Sequence, residues 1–215
     1  VKYPGNGNQV NPLLEEEPGA YLNEANTTRL LSTAYAEWKP IPSLSIRSNL
    51  GITNSSTRTG VFQGENTITR ALSSGSLARV SNNNGTDLLW ENIVNWQEKF
   101  SAHNVEVTLV TSYLSNKQDD FSASGTGQLF PDQVWHALQN NPSNLAISSN
   151  YVASNLVSGA FRLNYGFQGK YLLTLTGRAD ASSVLSKENR WAFFPSAAAA
   201  CRISDENLMR GQKIF

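Results

Sequence analysis

The stretch YLLTLTGRADASSVLSKENRWAFFPSAAAACRIS, residues 171–204, decides how the rest of the chain is read. It alternates apolar and polar residues, breaks for a polar loop, and alternates again. Tyr171, Leu173 and Leu175, then Phe193, Ala197, Ala199, Cys201 and Ile203, share one parity. Thr174, Thr176 and Arg178, then Ser196 and Arg202, share the other. A period of two is the signature of a β-strand with chemically different faces. The hairpin is too polar to cross a membrane as a helix, and one of its faces carries more apolar bulk than a wet strand pair needs. That face is predicted to meet lipid and the other a watery lumen. Lipid cannot satisfy an open strand edge, so such strands belong to a closed barrel.

The same alternation recurs upstream. Arg29–Trp38, Leu44–Ile52, the segment 86–100, Val105–Tyr113 and the segment 156–167 all read as strands. With 171–180 and 191–203 they make about seven, each roughly ten residues long, the length of a tilted strand crossing a bilayer. Short turns at 39–43, 99–103 and 167–170 alternate with long polar stretches at 53–85 and 114–154, which read as loops. Segregated loop lengths of this kind fit an outer-membrane barrel, short turns at the periplasmic end and long loops outside. Trp38, Trp96, Phe100, Phe167, Tyr171 and Trp191 lie near strand ends, where interfacial aromatic girdles are expected. Residues 1–26 read as loop. In the second long stretch, Pro131 and Asp132 with Val134 and Leu138 predict one or two helical turns.

Composition narrows the function classes. Of 215 residues, 17 are Lys or Arg and 17 Asp or Glu, so the formal charge is zero and nothing drives binding to nucleic acid. Charged residues are 16% of the chain, and Asn, Ser, Thr and Gly take their place, as suits loops, sugar-binding surfaces and a wet lumen. Cys201 is the only cysteine, which excludes an internal disulfide, and His103 and His136 are the only histidines, which disfavours a zinc site. No apolar run reaches the ~18 residues of a transmembrane helix. Gly125–Gly127 lacks a dinucleotide-loop context, and Gly169-Lys170 lacks a P-loop. No catalytic set and no cofactor site is expected. The abrupt ends at Val1 and GQKIF read as those of a piece of a longer chain.

Period-two parity assigns the faces. Leu44, Ile46, Leu88, Val107, Leu109, Phe161, Leu163, Leu173 and Leu175 are expected to point outward, and Arg47, Glu91, Glu106, Arg162 and Arg178 into the lumen. Phe121, Phe130 and Trp135 stand out as apolar anchors for a partner in an otherwise polar stretch.

The residues 169–209 also carry a family resemblance. Tyr171–Thr174, Arg178, Asp180, Ser182, Ser183, Asn189–Trp191, Phe194–Ser196 and Arg202–Glu206 match a pattern typical of the SusC/RagA-type TonB-dependent outer-membrane transporters of Bacteroidetes. NPLLEEE, TDLLWENIVNW and FPDQVWHAL resemble earlier segments of the same family, in order. Ala181 stands where glycine is usual, and Cys201 where tryptophan is usual. The resemblance implies a 22-stranded barrel with an N-terminal plug, importing oligosaccharides or peptides with energy from the TonB complex and capped by a SusD-like surface lipoprotein. The chain shows no plug and no TonB box, so it is expected to be a middle part of the barrel domain in the bacterial outer membrane. The competing expectation is a soluble extracellular carbohydrate-binding β-domain, which would purify without detergent. A glycan hydrolase needs two carboxylates at a defined separation, and none stand out.

Overall fold

A computed structural model describes residues 12–70, 73 and 75–205. Seven strands follow one another: β1 (Tyr21–Ile41), β2 (Leu44–Gln63), β3 (Leu77–Phe100), β4 (His103–Thr126), β5 (Ser143–Phe167), β6 (Tyr171–Ser182) and β7 (Trp191–Cys201). They form one sheet in the order of the chain, a meander of sequential neighbours. β5, β6 and β7 pair antiparallel: Leu163 faces Leu175 across β5 and β6, and Leu175 faces Ala197 across β6 and β7.

Two-residue turns join β1 to β2 and β3 to β4, and three residues join β5 to β6. In the last of these, Gln168 and Gly169 both have positive φ, 53° and 67°, and the Lys170 N–H donates to the Phe167 carbonyl at 3.0 Å. Positive φ at both central residues is the handedness of the primed hairpin turns, whose twist matches that of paired strands. The turns are stitched to their neighbours. The Gln97 N–H donates to the Ser43 carbonyl, that of Gln168 to the Ala102 carbonyl, and that of Arg202 to the Lys170 carbonyl.

Several expectations are corrected. β1–β5 are 20 to 25 residues long, not ten; only β6 and β7, at 12 and 11, have the expected length. Most of 53–85 and 114–154 is strand, and the true loops shrink to 64–76 and 127–142. The reason is chemical. In these stretches both strand faces are polar, so alternation vanishes while backbone pairing continues. β1 starts at Tyr21, inside the stretch read as loop, and a short 3-10 turn covers Pro12–Glu15. β7 ends at Cys201, and Ile203 sits in another 3-10 turn. The helical expectation near Asp132 becomes two 3-10 turns, Pro131–Gln133 and Leu138–Asn140. Residues 1–11, Glu206 of the family pattern and the terminal GQKIF lie outside the described residues.

The described parts of the chain fall into two compact units. The first draws on Val1–Leu30, Thr53–Thr86 and Lys117–Val152, the second on Leu31–Ile52, Asp87–Asn116 and Ala153–Phe215. The first has a small core in which Phe62, Ala78 and Trp135 are buried and Leu22, Val80, Val134 and Leu138 pack around them. Trp135 comes from the 127–142 loop and lies on the β2 backbone at Gly60. The loop is held from within as well. Gln128 donates through its amide to the carbonyls of Val134 and Ala137, and the buried Ser76 hydroxyl accepts the Gln128 N–H at 3.0 Å. Glu15, in the stretch read as loop, accepts the Ile68 N–H on its carboxylate at 3.0 Å and ties down the 64–76 loop.

Candidate functional site: a two-faced sheet wall

The second unit contains the arrangement that the alternation implies. On one face a chain of polar contacts crosses six strands. The Arg47 guanidinium lies over the Tyr35 ring, 4.3 Å from its centroid, joining β2 to β1. Arg47 Nε donates to Asn49 Oδ1 at 2.8 Å, and Asn49 Nδ2 to Glu91 Oε1 at 3.3 Å, joining β2 to β3. The Thr108 hydroxyl donates to Asn95 Oδ1 at 2.9 Å, joining β4 to β3. Asn164 Nδ2 donates to Glu106 Oε2 at 3.3 Å and its Oδ1 accepts from the Thr174 hydroxyl at 2.9 Å, joining β4, β5 and β6. Arg178 Nε donates to both carboxylate oxygens of Asp180, at 3.0 and 2.9 Å.

Arg47, Glu91, Glu106 and Arg178 therefore share one polar face. Arg162 belongs to it by register, since it stands opposite Thr176 and next but one to Asn164 along β5. Contacts of this kind beside solvent orient side chains more than they stabilise the sheet. Asn49, Asn95, Thr108 and Asn164 are the members that reading for charge alone overlooks. Their signal is parity, for each lies an even number of residues from a charged member of its strand.

The opposite face is apolar and aromatic. Leu163 and Tyr165 of β5 flank Leu175 and Leu173 of β6, which flank Ala197 and Ala199 of β7. A groove of about 690 Å³ on this face has Gly159 and Ala179, which are register partners, among its lining, with Leu50, Leu88, Trp90 and Trp191. Two polar groups of this face are paired: the Trp90 indole N–H donates to the Ser48 hydroxyl at 3.0 Å, and the Tyr113 hydroxyl to Asn155 Oδ1 at 3.1 Å.

Near the short turns the same face carries aromatic rings in contact. Trp96 and Phe100 have centroids 6.4 Å apart, Phe167 and Tyr171 6.3 Å, and His103 and Phe167 4.9 Å. His103 also hydrogen-bonds the Tyr165 hydroxyl through Nδ1 at 2.6 Å, which places it in this aromatic group. Trp90, Tyr113 and Trp191 form a second aromatic set at the groove.

The three partner-anchor candidates belong to the first unit and separate there. Phe130 is exposed on the 127–142 loop beside exposed Leu129, and Phe121 projects from β4. Trp135 is only 5% exposed. The expectation that it presents itself to a partner is corrected: its ring is consumed by the small core it shares with Phe62 of β2 and Ala78 of β3, because Gly60 leaves room for it. Among the described residues no group of three or more His, Cys, Asp or Glu is placed to hold a metal ion.

Comparison with known proteins supports the same architecture. The chain is 31% identical over 190 residues to TonB-dependent receptor P3 of Formosa agariphila, covering 88% of this chain and 19% of that one. It is 32% identical over 135 residues to TonB-dependent receptor SusC of Bacteroides thetaiotaomicron, covering 59% of this chain and 13% of SusC. Among solved structures, the RagAB peptide transporter superposes with a TM-score of 0.78 at 18% identity, over 87% of this chain and 21% of that one. No family model matches. The relatives bear the names of receptors and transporters, not of enzymes.

Proposed function

We propose that this chain, which belongs to the SusC/RagA-type TonB-dependent receptors and spans about a fifth of the length of relatives such as P3, forms seven consecutive wall strands of an outer-membrane import barrel. The apolar face meets the bilayer and the polar ladder lines the lumen, so Arg47, Glu91, Glu106, Arg162 and Arg178 border the substrate path.

The height of the apolar band carries this reading. Trp191 pairs with Ala181 and Cys201 with Tyr171, so ten residues of β6 separate the two aromatic sets. At ~3.4 Å per residue that is about 34 Å along the strand, and at the ~45° tilt of such barrels about 24 Å in height, against an expected apolar band of ~25 Å. A sheet exposing Trp38, Trp90, Trp191, Phe193 and Leu173 on one face is poorly suited to water, which weighs against a free carbohydrate-binding domain.

In this reading the full-length protein imports an oligosaccharide or peptide, draws energy from the TonB complex, and works with a SusD-like surface lipoprotein that contacts the exposed loop residues. The kinship to SusC and the RagAB-like fold support that assignment. Fractionation of cells expressing the full-length protein tests it. It should sit in the outer membrane, require detergent for extraction, and migrate faster on gels before boiling than after. Recovery from the detergent-free soluble fraction would reject the proposal.

A further inference from the structure

We propose that Arg162 and Arg178 form a carboxylate-binding site on the polar face, which takes the acidic group of the imported substrate. The proposal rests on the barrel reading above, and names the chemistry of the substrate that such a lumen wall would recognise.

A cavity of about 380 Å³ opens among Thr108, Val110, Arg162, Thr176, Arg178 and Phe194. All six side chains share one face by strand parity. The register fixes their arrangement: Arg178 stands between Ala160 on β5 and Phe194 on β7, and Arg162 stands opposite Thr176. The two arginines are therefore diagonal neighbours, roughly 7–8 Å apart at the backbone and within common reach of one small anion. Ala160, one step from Arg162 on the same face, leaves the floor open between them.

The charges around the cavity are unequal. Arg178 spends Nε on Asp180. Glu106, two residues before Thr108 on the same face of β4, accepts a hydrogen bond from Asn164, not from an arginine. Among the described residues the structure gives Arg162 neither a hydrogen bond nor an ion pair. Two guanidinium groups thus meet at a cavity with a single carboxylate bound to either. A planar carboxylate fits the guanidinium fork in two parallel hydrogen bonds, which a neutral hydroxyl cannot reproduce. The Thr176 hydroxyl faces the same space, and the Phe194 ring offers an apolar wall for the body of the ligand. A carboxylate reaches such a site from a uronic-acid unit of an oligosaccharide or from the C-terminus of a peptide.

The test measures binding to the purified full-length transporter by calorimetry at low salt. The probes are a short oligogalacturonate, a neutral oligosaccharide of equal length, and one short peptide with a free or an amidated C-terminus. The acidic member of at least one pair should bind about tenfold more tightly than its neutral counterpart. Arg162→Gln should remove that preference, bringing the acidic probe to the affinity of its neutral counterpart, while Arg162→Lys keeps part of it. A preference confined to the sugars identifies a uronate as the source, and one confined to the peptides identifies a C-terminus. Equal affinity within both pairs, a preference that survives Arg162→Gln, or no binding of any carboxylate probe would overturn the site. If the barrel assembles in the outer membrane in those cases, only the site is lost. A protein absent from the outer membrane would instead reject the barrel reading on which it rests.

Discussion

Trp135 packs against the backbone of Gly60, so close that a β-carbon at residue 60 would overlap the indole ring. The Arg58 guanidinium sits 5.3 Å from the centroid of the same ring. One missing side chain on β2 thus creates the seat in which the 127–142 loop is anchored. Gly60→Ala should unseat the indole at a cost of about 1–3 kcal/mol, and Trp135→Ala should do the same by removing it. Limited proteolysis of the full-length protein checks this. A cost of about 2 kcal/mol raises the open fraction of the loop roughly 30-fold. Cleavage within 127–142 should rise by that order in both variants while the barrel stays assembled.

Leu173 and Thr174 are adjacent on β6 and should respond oppositely to charge. An arginine on the lipid face costs about 2–4 kcal/mol at the bilayer midplane. Leu173→Arg should therefore impair assembly in the outer membrane. Thr174→Arg points to the wet face and loses only the hydrogen bond to Asn164, worth about 1 kcal/mol. The heat-modifiable fraction on gels reads out both variants. Greater damage from the Thr174 change would reverse the assignment of faces.

The β5–β6 turn depends on positive φ at Gln168 and Gly169. Gly169→Val forces a β-branched residue into the left-handed region and should cost at least 1–2 kcal/mol. Gln168→Asn should be neutral or slightly stabilising, because asparagine tolerates that region better. Urea titration of the full-length barrel refolded in lipid vesicles measures both. A neutral Gly169→Val would contradict the turn geometry.

Leu129 and Phe130 are 64% and 55% exposed on the loop that Trp135 anchors. They are the large apolar residues that this loop leaves exposed, and in the proposed assembly they would meet the lipoprotein. The double change Leu129→Ser, Phe130→Ser should reduce co-purification of the SusD-like lipoprotein with the full-length transporter several-fold, with barrel assembly unaffected. Undiminished co-purification with an assembled barrel would remove this loop from the interface.

The seven strands, their order and the parity of their two faces were legible in the sequence because each strand alternates where its two sides differ in polarity. Tyr171, Leu173 and Leu175 against Thr174, Thr176 and Arg178 is enough to set a face, since a one-residue slip would invert every side chain. The short turns were legible too, from Pro42-Ser43 and Gln168-Gly169. The extent of the strands was not. Ser55, Ser56 and Thr57 on β2, and Asn83, Asn84 and Gly85 on β3, are polar on both sides and read as loop. Yet Ser56 donates to Asn84 across the pair at 2.8 Å, and the ladder continues. Backbone hydrogen bonding between neighbours leaves no mark on composition.

Tertiary structure alone decided two further matters. Phe130 and Trp135 are equally apolar in sequence, and only the contact with Gly60, 75 residues away, buries one and leaves the other exposed. Arg162 and Arg178 carry the same charge, and only the register of β5 on β6 makes them diagonal neighbours, with Asp180 bound to one of them. Local alternation states which side of a strand a residue occupies. What it meets there depends on pairing between distant segments, whose energetics no single strand contains.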